Sequence, residues 1–145
     1  MIPGEILLEN VRNLRDLGGI PAGSGRRVAP GSIYRSASLH EMTDGDRRAL
    51  EGRRIRTVVD LRSAWEQSYL GYEWPYGRHV AAPLAGDDSV AAIYRSFIEG
   101  TLSEAAMDDW WTTTGVFDAA AEFPDSVRAV FHALLEAAPG EAVLF

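Results

Sequence analysis

The chain has 145 residues, enough for one domain with a real hydrophobic core and too few for two ordinary ones. Its net charge of −7 argues against a general nucleic-acid binder, which needs a basic face, and no apolar run is long enough to cross a membrane. There is no cysteine, so disulfides, thiolate metal sites and a thiol nucleophile are excluded within these residues.

All fourteen basic residues are arginine, so an anion site built from these residues must use guanidinium forks or backbone N–H groups. His40, His79 and His132 are far apart and show no ligand spacing with acidic neighbours, so neither a metal nor another cofactor is expected. The opening Met-Ile-Pro-Gly-Glu has neither a basic region nor an apolar core, which predicts no signal peptide and a cytoplasmic location.

In chain order, Ile6–Leu8 is a short apolar run. Asn13, Arg15 and Asp16 then place three strongly hydrogen-bonding side chains before the sharp Gly18-Gly19 turn. Ile20–Val28 predicts a hairpin with its tip at Ala22–Gly25, and Ser32–Arg35 a short strand after the Pro30-Gly31 turn. Thr43 and Asp46 form a capping box for a helix running to Glu51 and ending at Gly52. Ile55–Leu61, rich in β-branched residues, is the best strand of the chain. Asp60, Arg62 and Ser63 follow at its carboxyl end, and Ser63 with Glu66 caps the next, short helix. A polar cluster between a buried strand and a helix is where α/β proteins hold anions, although the same residues could only cap the helix and pair with one another.

Gly71–Gly77 is aromatic and turn-prone and predicts a packed loop; His79–Leu84 is a third strand, with Asp87 and Asp88 beyond its end. Ser89–Ile98 predicts a helix with Val90, Ile93, Tyr94 and Phe97 on one face, and 102–123 is helical in pieces. Val127, Val130, Phe131, Leu134, Leu135 and Ala138 then recur at helical spacing over Ser126–Ala138, laying one apolar stripe before Pro139-Gly140 stops the helix. Ala142–Phe145 is an unbroken apolar run, as in a strand buried on both faces of a parallel sheet. A free carboxylate at the end of such a strand would be costly to desolvate, so a loop is expected to follow Phe145, with a natural C-terminus tucked into the core as the alternative. The order of elements predicts one α/β domain, and the carboxyl ends of the Thr57–Leu61 and Ala142–Phe145 strands are expected side by side on one sheet edge.

Three separate segments resemble a bacterial family of cysteine-dependent tyrosine phosphatases. Its opening signature, Asn-Phe/Leu-Arg-Asp-hydrophobic-Gly-Gly, matches Asn13-Leu14-Arg15-Asp16-Leu17-Gly18-Gly19. Its second block looks like Arg27–Ser36, and its third, a strand ending Asp-Leu-Arg-Ser with a glutamate soon after, resembles Thr57–Ser63 with Glu66. One such match is weak; three in order make a strong signal. The resemblance is close over Val11–Glu66 and rests on the helix–strand pattern alone over Ser126–Phe145.

The resemblance implies a tyrosine-phosphatase-like α/β domain, with a central, mostly parallel sheet flanked by helices and an N-terminal β-hairpin. In that family the strand matching Ala142–Phe145 runs into a phosphate-binding loop, His-Cys-x-x-Gly-Lys-Asp-Arg-Thr-Gly. Its thiolate attacks phosphorus while its arginine and backbone N–H groups hold the phosphoryl oxygens. None of that loop lies in these residues, so residues 1–145 are expected to be the N-terminal part of the domain, with the C-terminal part of the fold missing. Asp87 or Asp88 stands where a loop acid could protonate the leaving oxygen, or could simply cap the following helix. Arg15, Asp16, Arg35, Asp60 and Arg62 are the candidates to border the substrate, with bracing of loops as their alternative role.

The function expected on this basis is hydrolysis of a phosphomonoester, with a phosphorylated protein or lipid as partner and no nucleic acid. Two competing readings are a non-catalytic module holding a phosphorylated or acidic ligand through Arg15, Arg35 and Arg62, and a small α/β domain without a ligand.

Overall fold

In the computed structural model, which describes residues 4–86, 92–93, 95–97, 99–113 and 119–145, six strands pair into one sheet. They are β1 (Glu5–Ile6), β2 (Leu14–Asp16), β3 (Ile33–Arg35), β4 (Ile55–Asp60), β5 (Arg78–Ala81) and β6 (Ala142–Leu144). Their order across the sheet is β1-β2-β3-β6-β4-β5. The described helices are α1 (Asp44–Gly52), α2 (Ala64–Tyr69), α3 (Glu104–Thr113), α4 (Ala119–Glu122) and α5 (Pro124–Leu135); Ala92–Ile93 and Arg95–Phe97 are helical too. The expected α/β class is thus the observed one, and β3, β4, β5 and β6, which fall on the four predicted strands, share one sheet.

The middle of the sheet is parallel. β6 pairs with β3 through Ile33↔Val143 and Tyr34↔Leu144, and with β4 through Thr57↔Val143 and Val58↔Leu144. All three residues of β6 are buried, as its unbroken apolar run predicts. The N-terminal side is antiparallel, with β1 on β2 and β2 on β3. No strand is expected at β2: Leu-Arg-Asp carries no alternating apolar pattern, and pairing on both flanks imposes the extended backbone. The predicted hairpin is present as a single Pro21↔Arg27 bridge, closed by Ala22 N–H to Arg26 O at 2.9 Å. β5 is an edge strand with three of its four residues exposed.

Chain contacts divide the molecule into two compact units. The first comprises Met1–Val59, Tyr72–Val80 and His132–Phe145, and holds β1, β2, β3, β6 and α1. Its core lies on one sheet face, where Leu14, Tyr34, Val58 and Leu144 meet Leu50 of α1, Leu39 and Trp74. The second comprises Asp60–Gly71 and Ala81–Phe131 and holds α2, α3 and α4.

α1 starts as its capping box dictates. Thr43 accepts a hydrogen bond from Asp46 N–H at 3.0 Å, and the Asp46 carboxylate accepts from Thr43 N–H at 3.2 Å. α5 differs from expectation in both extent and phase. It begins at Pro124, whose missing N–H costs nothing in the first turn, and ends at Leu135 rather than Ala138. Ala133 is its buried residue, while Phe131 and Leu135 of the predicted stripe are 60% and 83% exposed. Asp125, Arg128 and His132 line one side, and the remaining apolar arc is wide, so spacing alone does not fix which part of it faces inward; Val127, Val130 and Leu134 of the predicted stripe are half-buried. Small Ala133 permits the closest approach, and Leu134 and Ala137 stand beside Ile33 and Val143 of the sheet.

The Gly18-Gly19 pair does two different jobs. Gly19 has φ +85°, which favours glycine, whereas a Cβ on Gly18 would come within 2.4 Å of Pro30 Cα. Gly18→Ala should therefore cost about 1–3 kcal/mol in urea unfolding, as overpacking does. Gly52→Ala, where a Cβ meets nothing within 4 Å, should be neutral or stabilise by up to about 1 kcal/mol. Equal behaviour of the two variants would refute the close-approach account.

Candidate functional site

The stretch around β2 is built by residue-specific constraints. Asn13 sits at φ +59°, a conformation asparagine tolerates better than most residues, and its Oδ1 accepts from Arg15 Nη2. Leu14 is fully buried. Asp16 then joins two turns: Oδ1 accepts from Gly18 N–H and Oδ2 from Gly31 N–H, both at 2.8 Å. The Asp16 carboxylate is thus engaged by backbone on both oxygens. Its charge also acts on buried Tyr34, whose hydroxyl is pushed up mainly by burial, further by Asp16, and partly back by Arg53.

Strand register decides what faces what. Arg15 lies opposite Glu5 on one side and Arg35 on the other, so the three side chains leave the same sheet face. This is the face opposite the one that carries Leu14, Tyr34 and Leu144 into the core. Arg35 is exposed, and the Nε of Arg15 is buried without a hydrogen-bond partner. Neither guanidinium forms an ion pair with a carboxylate among the described residues. Arg35 also adjoins the end of β6, because Phe145 N–H donates to Tyr34 O at 3.1 Å and Ser36 N–H donates to Phe145 O at 2.9 Å.

The residues after β4 form a different kind of cluster. Arg62 grips Asp60 with two forks, Nε to Oδ1 at 2.9 Å and Nη2 to Oδ2 at 2.7 Å, and its Nη1 donates to Leu70 O at 2.9 Å. The side chains are 15% and 3% exposed, so this is a buried, bidentate pair. Gln67 closes the loop by donating to Arg62 O at 2.7 Å. Ser63 is fully buried, its Oγ accepting from Glu66 N–H at 3.2 Å, while Glu66 Oε2 accepts from Ser63 N–H at 3.0 Å. Both capping boxes read from the sequence are therefore present as hydrogen bonds.

Asp87 and Asp88 lie outside the described residues, as do parts of the helix expected over Ser89–Ile98. The structure therefore brings Arg15 and Arg35 together on one sheet face of the first unit, sets Asp16 opposite Tyr34 on the other face, and joins Asp60 with Arg62 as an ion pair in the second. Among the described residues, no group of His, Cys, Asp or Glu is arranged to hold a metal, and no helix is long and apolar enough to cross a membrane.

Sequence reasoning missed the wider role of Asp46. Besides capping α1, its carboxylate accepts from the N–H groups of Glu9, Asn10 and Val11 at 2.7, 2.9 and 3.2 Å. It anchors the segment that leads into β2. The capping-box spacing was visible, but no local signal marks a partner more than thirty residues away. Chemically, the arrangement offers the guanidinium groups of Arg15 and Arg35 on one sheet face, and the 145 residues contain no thiol nucleophile.

The model of a family described as the tyrosine phosphatase family matches residues 6–145. A Cupriavidus necator protein with the provisional name tyrosine-protein phosphatase is 27% identical over 143 residues, covering 97% of this chain and 50% of that protein. The chain thus spans about half the length of the curated relative it matches.

Proposed function

Because the chain belongs to the tyrosine phosphatase family, we propose that it forms the N-terminal portion of a phosphomonoester hydrolase acting on a phosphorylated protein or a phosphoinositide. The observation that carries this reading is the parallel centre of the sheet. β3, β6 and β4 run out at a common edge, and ligands of open parallel sheets lie beyond the carboxyl ends of the strands.

The proposed chemistry is that of a cysteine phosphatase. A thiolate attacks phosphorus, an arginine and backbone N–H groups hold the phosphoryl oxygens, and an acid protonates the leaving oxygen. These 145 residues contain no cysteine, so the nucleophile would come from sequence outside them, a reading supported by the half-length match to the relative. Asp87 or Asp88 is the proposed acid. Arg15 and Arg35 are proposed to face the substrate, with Asp16, Asp60 and Arg62 holding the bordering loops in shape. A cytoplasmic location belongs to the same proposal. The second reading, a non-catalytic module for a phosphorylated or acidic ligand, draws on the same lack of a thiol and on the unpartnered Arg15 Nε.

The test is hydrolysis of p-nitrophenyl phosphate. The 145-residue chain should show no turnover above background. A longer product of the same gene, carrying a His-Cys-x-x-Gly-x-x-Arg continuation, should turn over and lose activity on Cys→Ser. Turnover by the 145-residue chain that disappears when one of its own residues is mutated would overturn the proposal. A gene whose reading frame stops after Phe145 would favour the binding module.

A further inference from the structure

Arg15 and Arg35 face each other across an antiparallel ladder, and like charges placed directly opposite are destabilising unless something lies between or above them. The usual relief is a carboxylate, and Glu5 stands on the far side of Arg15 on the same face. Yet Glu5 makes no ion pair with Arg15 within 4 Å, and the Asp16 carboxylate is occupied by the two turns. Arg15 is held instead by the neutral Asn13 side chain, which fixes its guanidinium without cancelling its charge. Its Nε–H is left buried and unsatisfied, a cost of the size that a bound acceptor would remove.

We propose that Arg15 and Arg35 form an anion subsite for a phosphate group or similar tetrahedral dianion, on the sheet face opposite the main core and beside the end of β6. Arg15 is the preorganised half, held by Asn13, with Nε as one donor. Arg35 is the mobile half, an exposed guanidinium on the neighbouring strand that closes over the ligand. Adjacent strands lie about 4.8 Å apart, so two donors on neighbouring strands suit one tetrahedral anion between them. Glu5 bounds the subsite toward β1 and disfavours a longer anion extending that way. The subsite itself rests on the sheet geometry and not on the phosphatase reading. On that reading, it would take a second anionic group of the substrate, one or two strands away from the phosphoryl centre.

The probe is inorganic phosphate, titrated into the 145-residue chain and followed by the arginine Nε–Hε signals in a proton–nitrogen correlation spectrum. The Arg15 signal should shift saturably, and added sodium chloride should weaken binding because Arg35 is exposed to screening. Arg35→Gln should weaken phosphate binding about tenfold, as loss of one charge-assisted hydrogen bond does, with the melting temperature nearly unchanged. Arg12→Gln, an exposed arginine outside the subsite, should bind as the parent does. An Arg15 signal that does not move at tens of millimolar phosphate overturns the subsite. So does a shift that Arg12→Gln reduces as much as Arg35→Gln. Either failure leaves the family assignment intact, whereas failure of the phosphatase reading would appear only in the hydrolysis assay.

Discussion

Replacing Asp46 with alanine should remove about 3 kcal/mol or more of folding stability. Four backbone N–H groups, of Glu9, Asn10, Val11 and Thr43, converge on a carboxylate that is 1% exposed. Alanine leaves these donors without that acceptor; the Val11 N–H is buried and the other three are part-buried, and an orphan that water cannot reach costs about 1–3 kcal/mol. Some relaxation will restore part of that, and a fall in melting temperature of about 10 °C is the expected reading. Asp46→Asn should lose less, because one carbonyl oxygen survives, but its amide donors would face the N–H groups.

The same site gives a pH dependence with a definite sign. Burial pushes the Asp46 carboxyl up, and hydrogen bonds from Asn10, Thr43, Glu9 and Val11 together outweigh it and hold the group below its ordinary value. In the window between the folded and unfolded values the unfolded chain binds more protons, so stability rises with pH there. The contribution is complete above the ordinary carboxylate value of 3.8 and is lost as pH falls through the folded value. Acid titration of the unfolding free energy should show this loss in the parent and not in Asp46→Asn. Parallel acid profiles for the two would remove Asp46 from the account.

Arg62→Leu should cost about 3–5 kcal/mol, the range for breaking a buried ion pair from one side. It strips the counterion from Asp60, whose side chain is 3% exposed, and removes the bond to Leu70 O. Arg62→Lys should recover little, because one ammonium cannot reproduce two parallel forks and a third donor in fixed geometry. A double variant that also makes Asp60 apolar should be less destabilised than the two single costs combined, since no charge is then stranded. Urea unfolding of the four proteins measures this coupling. A stability loss below about 0.5 kcal/mol for Arg62→Leu would mean that the guanidinium is not a brace, and would return Arg62 to direct contact with the ligand.

These two clusters also mark how far the sequence could be read. Thr43–Asp46 and Ser63–Glu66 were legible because a capping box is local: residues three apart on a nascent helix must meet. β4 and β6 were legible because their apolar content is dense enough to require burial on both faces. β2 was not, since three residues of mixed polarity become a strand only through neighbours on both flanks. The phase of α5 was legible only in part: Val127, Val130 and Leu134 of the expected stripe are half-buried, but Phe131 and Leu135 satisfy helical spacing as well as the buried Ala133 does. Of the proposed site, the residue types were visible, but pairing was not: Asp60 and Arg62 belong to each other, while Arg15 and Arg35 share only a ladder. Register is a tertiary property, and a single chain of letters does not contain it.

The position of β6 has a consequence for how the chain acquires its structure. The last of the six strands in sequence lies between β3 and β4, so each of its flanks closes a contact that is distant along the chain, some 110 residues for Ile33 with Val143. Until those residues leave the ribosome, β3 and β4 each present an open hydrogen-bonding edge with no native neighbour to fill it. Formation of this sheet should then be slow and should await the synthesis of β6, because loop closure over such separations must precede any reward from the central ladder. The interval in which both edges stand open is the period when this chain is most exposed to self-association, and therefore when a chaperone would matter most.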